Sequence, residues 1–237
     1  MRRIALLTDF GSRDPYVAAM KGVIAARTDA PVHDLTHDIE PFDVWEGAFF
    51  LRAILPYWQN CVIVAVVDPG VGTARKMLAV IDGDRIVLGP DNGLLHFVPG
   101  AALAIENESL YLPQSSNTFH GRDRFAPVAA AIANGWDLER LGPRVEQRVP
   151  LDYQPGCIIS IDRFGNAITD LAPQANMAVE VNGTRIDRME RTYGDAAPGP
   201  FLIVGSSGTV EISVKNGSAA DALALTRGMR VAVLLAS

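Results

Sequence analysis

The pattern of apolar residues changes near residue 150, and that change limits the folds open to the chain. Upstream, short apolar runs alternate with segments of helical periodicity. Residues 4–7 form a continuous apolar run; Tyr16, Val17, Met20, Val23 and Ile24 then share one face of a helix predicted over 15–27. An extended segment follows at 32–35, a second helix from 44 to about 55, and the most apolar run of the chain at 62–67. Runs at 77–81 and 85–88, joined by Asp82-Gly83-Asp84, read as a hairpin, and a last helix is expected over 123–134. Strands separated by helices imply a mostly parallel sheet covered on both faces. After Leu141-Gly142-Pro143 and Pro155-Gly156 the helical signal fades, leaving short β-type runs at 157–161, 177–181, 201–204, 210–214 and 230–235. The expectation is an α/β N-terminal domain with Rossmann-like layers over 1–150, a boundary near 149–155, and a small all-β C-terminal barrel over 156–237.

Charge and composition exclude several functions. With 27 acidic against 21 basic residues and a net charge of −6, the chain lacks the basic face on which nucleic-acid binding depends. Cys61 and Cys157 each sit in an apolar stretch and read as buried thiols of a reducing compartment. The apolar part of MRRIALLTDFG is shorter than a secretory segment requires, and runs such as 62–67 and 231–236 are strand-sized. A soluble, cytoplasmic protein without a membrane partner is expected.

In open α/β sheets ligands bind beyond the carboxyl ends of the strands. The first run ends in Thr8-Asp9-Phe10-Gly11, and the central one in Asp68-Pro69-Gly70-Val71-Gly72 with Arg75 close behind. Asp91, in Pro90-Asp91-Asn92-Gly93, reads more simply as a turn residue. Arg75 stands where a dinucleotide fingerprint would have its third glycine, and the P-loop pattern is absent. Among the histidines, His33 and His37 have metal-ligand spacing only on a helix, and their segment reads as strand and loop; no metal is expected. His96 reads as packed or surface. His120 lies in a polar loop opening a helix, where a neutral imidazole either accepts a proton or orients a water near physiological pH, or is simply solvated. Asp162-Arg163-Phe164-Gly165-Asn166 and Gly205-Ser206-Ser207-Gly208, taken alone, are as consistent with hairpin turns as with a site.

The segments TDFGSRDPYVAAMKGVI, THDIEPFDVWEGAFFL, VVDPGVG with Arg75, GPDNGLL, TFHGRDRFAPVAA and IDRFGNAITD resemble, in order, the S-adenosylmethionine hydroxide adenosyltransferase family. These adenosine-forming hydrolases are related to fluorinating and chlorinating enzymes that act on the same substrate. The resemblance implies hydrolysis of S-adenosyl-L-methionine to adenosine and L-methionine without a cofactor, by homotrimers whose substrate lies between the N-terminal domain of one subunit and the C-terminal domain of its neighbour. It implies a triad of Asp68, Arg75 and His120, with Asp9 on the ribose hydroxyls and Phe42 lining the pocket. Asp162 would meet the methionine ammonium, Asn166 the adenine edge, Ser206 the methionine carboxylate, and Tyr193 would pack on adenine. Two departures stand out: GSSG replaces the more usual Asn-Ser start, and Asp170 stands where Asn is common. The alternatives are a halide-using relative, which would lack the Arg and His, and a non-catalytic sensor of the same ligand.

Overall fold

The computed structural model describes residues 1–234; the final positions of the last apolar run, Leu235 and Ala236, and the expected domain end at 237 lie outside the described residues. Two compact units are present, Met1–Asp152 and the chain from Tyr153 onward.

In the first unit β1 (Arg3–Thr8), α1 (Tyr16–Ala25), β2 (Val32–Thr36), α2 (Val44–Ile54) and β3 (Cys61–Val66) are followed by β4 (Met77–Asp82), β5 (Arg85–Pro90), β6 (Ala101–Ala104), α3 (Ala126–Ala133) and β7 (Arg144–Val145). The strands form one sheet in the order β2-β1-β3-β5-β4-β6-β7. It is mixed, which corrects the expectation of a mostly parallel sheet. The pairings β2–β1, β1–β3 and β3–β5 are parallel, whereas β5–β4, β4–β6 and β6–β7 are antiparallel. The reversal begins where the short Gly83 turn folds β5 directly back beside β4, which only antiparallel pairing permits.

Period-two alternation sorts the central strands into two cores. Ile4, Leu6, Val62 and Val64 pack with Met20 and Ile24 of α1 and with Val128 and Ile132 of α3. Ala5, Leu7, Ile63 and Ala65 face the other way, into a cluster that includes Leu51 of α2. Both faces being buried, the sequence alternation disappears and β1 and β3 read as unbroken apolar runs. Helix α2 starts at Asp43, whose side chain accepts the Glu46 N–H at 2.8 Å.

The second unit contains a five-stranded sheet, β12-β13-β14-β9-β8, and a three-stranded sheet, β11-β10-β15. The strands are β8 (Ile158–Ile161), β9 (Ala167–Thr169), β10 (Ala178–Val181), β11 (Thr184–Ile186), β12 (Met189–Glu190), β13 (Pro200–Val204), β14 (Val210–Val214) and β15 (Ala232–Leu234). The pairings among the described residues make two sheets and do not close them into a barrel. Nor is the unit purely β: helix α4 (Ala219–Leu223) begins at Ser218, whose hydroxyl accepts the Asp221 N–H. Five residues are too few for a helical period to register. Cys61 and Cys157 are free and buried, and among the described residues no helix is long and apolar enough to cross a membrane.

Candidate active site

Strands β1 and β3 run parallel with Thr8 opposite Val66, so Asp9 and Asp68 leave the same edge of the sheet. The Asp9 carboxylate accepts the Phe42 N–H at 2.9 Å. Burial pushes its pKa up, the Phe42 hydrogen bond pulls the other way, and the charge of Asp68 adds to the rise. Phe42 itself has φ +70° and is 72% exposed. A large side chain held left-handed and unpacked is an arrangement that core stability does not require.

The loop after Asp68 turns back through Gly72, at φ +82°, where a Cβ would stand 2.6 Å from the Asn117 carbonyl oxygen. Only glycine allows this approach, and through it Arg75 reaches the segment that carries His120. Arg75 Nε donates to Asp68 Oδ1 at 2.8 Å, and Nη2 donates both to Asp68 Oδ2 and, at 2.9 Å, to His120 Nδ1. The Arg75 and Asp68 side chains are 8% and 4% exposed, so the pair is shielded from water. A guanidinium has only donors; Nδ1 of His120 is therefore the acceptor, and the proton of the neutral ring lies on Nε2. Burial, then Arg124 and Arg75, lower the His120 pKa to about 4. His120 is accordingly a neutral donor whose buried Nε2 has no partner among the described residues.

Neighbouring contacts fix this cluster. His120 precedes a π-helical turn, Gly121–Phe125, that leads into α3. Within that turn the fully buried Asp123 accepts from Arg122 Nε at 2.6 Å and from the Ser116 N–H at 2.7 Å, tying down the loop before His120. Phe10 and Phe119 meet edge to face with centroids 5.8 Å apart, joining the loops of Asp9 and His120.

Asp162, Asn166, Tyr193 and Ser206 all line one cavity of about 850 Å³ in the second unit, together with Phe164 and Glu211. Asp162 Oδ1 accepts the N–H groups of Phe164 and Asn166 at 2.9 and 2.8 Å, and Oδ2 accepts Asn166 Nδ2 at 2.9 Å. The loop thus closes on its own carboxylate. The Tyr193 hydroxyl donates to Glu211 Oε2 at 2.8 Å, and its ring meets Phe201 edge to face. Burial first, then the bond to Glu211, push the Tyr193 pKa up to about 12.

Residues 4–142 match the model of the SAM hydroxide adenosyltransferase N-terminal domain, and residues 156–232 that of the C-terminal domain. The chain belongs to the SAM hydroxide adenosyltransferase family. It is 43% identical to a protein of Thermus thermophilus named (R)-S-adenosyl-L-methionine hydrolase, over 99% of this chain and 100% of that one. It is 24% identical to the fluorinase of Actinopolyspora mzabensis over 97% of this chain and 96% of that one. The crystal structure of an uncharacterized conserved protein from Thermotoga maritima superposes with a TM-score of 0.89 at 32% identity, covering 98% of this chain and 100% of that one.

In this SAM hydroxide adenosyltransferase chain, several other polar residues have structural duties. Asp91 accepts the Val149 N–H at 2.8 Å. His96 Nδ1 accepts the Leu151 N–H, and His33 stacks edge to face on Trp58. His37 Nδ1 lies 2.8 Å from the Thr8 hydroxyl, and its carbonyl accepts the Gly11 N–H, so the end of β2 anchors the Asp9 loop. Asp170 accepts the N–H groups of Gly156 and Cys157, bracing the start of β8. Sequence reasoning missed Phe164 and Glu211 as cavity residues. Glu211 alternates with Val210 and Ile212 and shares its strand face with Ser213, so the sequence carries no signal that separates it from a solvent-facing position.

Proposed function

We propose that this chain hydrolyses S-adenosyl-L-methionine to adenosine and L-methionine. Water attacks the 5′ carbon, the carbon–sulfur electron pair returns to sulfur, and methionine leaves as a neutral thioether with no need of a proton. One proton must leave the water, whose pKa in bulk is about 15.7. The observation that carries the proposal is Arg75 bonded to both Asp68 and His120 at the end of the central strand. The full-length similarity to a named hydrolase supports the same reading.

The hydrogen bonds divide the work. With Nδ1 engaged by Arg75 and Nε2 protonated, His120 has no free acceptor; it donates through Nε2 to the water oxygen. Asp68 keeps two of its four acceptor sites after binding Arg75, orients the water and receives the proton. Arg75 stabilises the developing hydroxide. Asp9 accepts from the ribose hydroxyls and Phe42 lines the pocket. Asp162 binds the ammonium, Asn166 the adenine edge, Ser206 the carboxylate, and Tyr193 packs on adenine. No cofactor enters the scheme. The assembly is a homotrimer, on the family resemblance, with light scattering as its check.

Incubating the protein with each sulfonium epimer, with and without chloride, tests the reaction. Equimolar adenosine and methionine are expected, faster from the (R) epimer in the name of the Thermus relative. A chlorinated nucleoside would assign halogenation instead, and binding without product would assign a sensor.

A further inference from the structure

We propose that Glu211 is a second acceptor for the substrate's α-ammonium, completing a receptor that Asp162 opens but cannot fill. The inference rests on the reading of this cavity as the methionine and adenine site. An ammonium brings three donors and a carboxylate offers about four acceptor sites. Asp162 has spent three of its sites on Phe164 N, Asn166 N and Asn166 Nδ2, which leaves one. Glu211 is in the opposite condition. Its Oε2 takes the Tyr193 hydroxyl and no hydrogen bond reaches Oε1 from the described residues.

The surroundings are shaped for this carboxylate and supply it with no cation. At Gly205 an added Cβ would stand 1.7 Å from Glu211 Oε1, so the backbone passes where no side chain fits. None of the ion pairs among the described residues involves Glu211 or Asp162. Burial pushes the Glu211 pKa upward, the Tyr193 hydrogen bond pulls the other way, and the charge of Asp162 adds to the rise. Two carboxylates that share an 850 Å³ cavity with no cation paired to either among the described residues are relieved by a bound cation. The substrate's ammonium has the required charge and donors.

The test is calorimetric binding of S-adenosyl-L-methionine, its decarboxylated analogue, which keeps the amine, and 5′-dimethylsulfonio-5′-deoxyadenosine, which lacks it. Glu211→Gln keeps the size of the side chain and removes the charge. It is expected to weaken both amine-bearing ligands about 10- to 100-fold, the scale of a hydrogen bond to a charged group, and to leave the amine-free ligand within about 2-fold. Equal weakening of all three would overturn the inference in favour of a purely structural Glu211, as would no weakening of any. Tyr193→Phe, which frees Oε2 without moving the charge, is expected to preserve the discrimination between ligands. Adenosine release by the unmodified protein, followed in parallel, reports separately on the hydrolase reading.

Discussion

Arg75 Nη2 lies 2.9 Å from His120 Nδ1 while the same guanidinium holds both oxygens of Asp68, so one arginine sets the imidazole tautomer and the carboxylate orientation together. His120 is therefore held as a donor, and in the proposed reaction Asp68 is the group left to accept a proton.

This arrangement has a pH signature. His120 has a pKa of about 4 in the folded chain, against about 6.5 for an unfolded histidine. Between those values the unfolded chain holds the extra proton, so stability falls as pH drops from about 6.5 towards 4. Histidine NMR is expected to show the His120 resonance inflecting near pH 4, and His120→Gln is expected to flatten that part of the stability curve. An inflection near 6.5, or an unchanged curve in the variant, contradicts the assignment.

Replacing Arg75 by Lys preserves the charge but not the fork that reaches two partners at once. Steady-state kinetics of Arg75→Lys should show kcat reduced by about 10²–10⁴ with KM within a few-fold, the scale of losing a positioned acid–base group. Wild-type kcat in this variant would mean that charge alone suffices.

At Phe42 the ring and the backbone can be separated. Phe42→Ala removes the ring but keeps a β-carbon at φ +70°, whereas Phe42→Gly removes both. The glycine variant should be the more stable by about 1 kcal/mol in denaturant unfolding, since a left-handed residue with a β-carbon costs roughly 1–2 kcal/mol. KM should rise equally in the two, because in the proposed site it is the ring that lines the pocket.

Gly72→Ala places a methyl group against the Asn117 carbonyl, while Gly183→Ala, at a comparable φ of +73°, meets nothing within 4 Å. Both variants should lose about 1–3 kcal/mol of stability through backbone strain, and Gly72→Ala more than Gly183→Ala because its methyl group also displaces the Asn117 carbonyl. Turnover should fall only in Gly72→Ala, because that loop carries Arg75 to His120. Equal activity in the two variants would show that the close approach has no role in catalysis.

Legibility in the sequence follows burial. β3 is readable because both its faces are covered and every residue is apolar, whereas β6 is four residues of which three are alanine, with almost no β signal. The helix expected from 123 begins as α3 at Ala126, because Gly121–Phe125 is wound as a π turn whose wider spacing breaks the period. Asp9 and Asp68 stand out as carboxylates closing apolar strands. Glu211 does not: within VEISV it reads as the solvent side of a strand, and only the fold reveals that it is 6% exposed and lines a cavity. The Arg75 bridge is similarly hidden, since it joins residues 45 positions apart through a glycine contact.

The most direct measurement of the proposed chemistry is turnover of S-adenosyl-L-methionine in heavy-oxygen water, with mass spectrometry of both products. Attack of water on the 5′ carbon predicts one labelled oxygen in the 5′ hydroxyl of adenosine and none in methionine, with the signal reduced together with kcat in Asp68→Asn. Unlabelled adenosine, or label appearing in methionine, would contradict it.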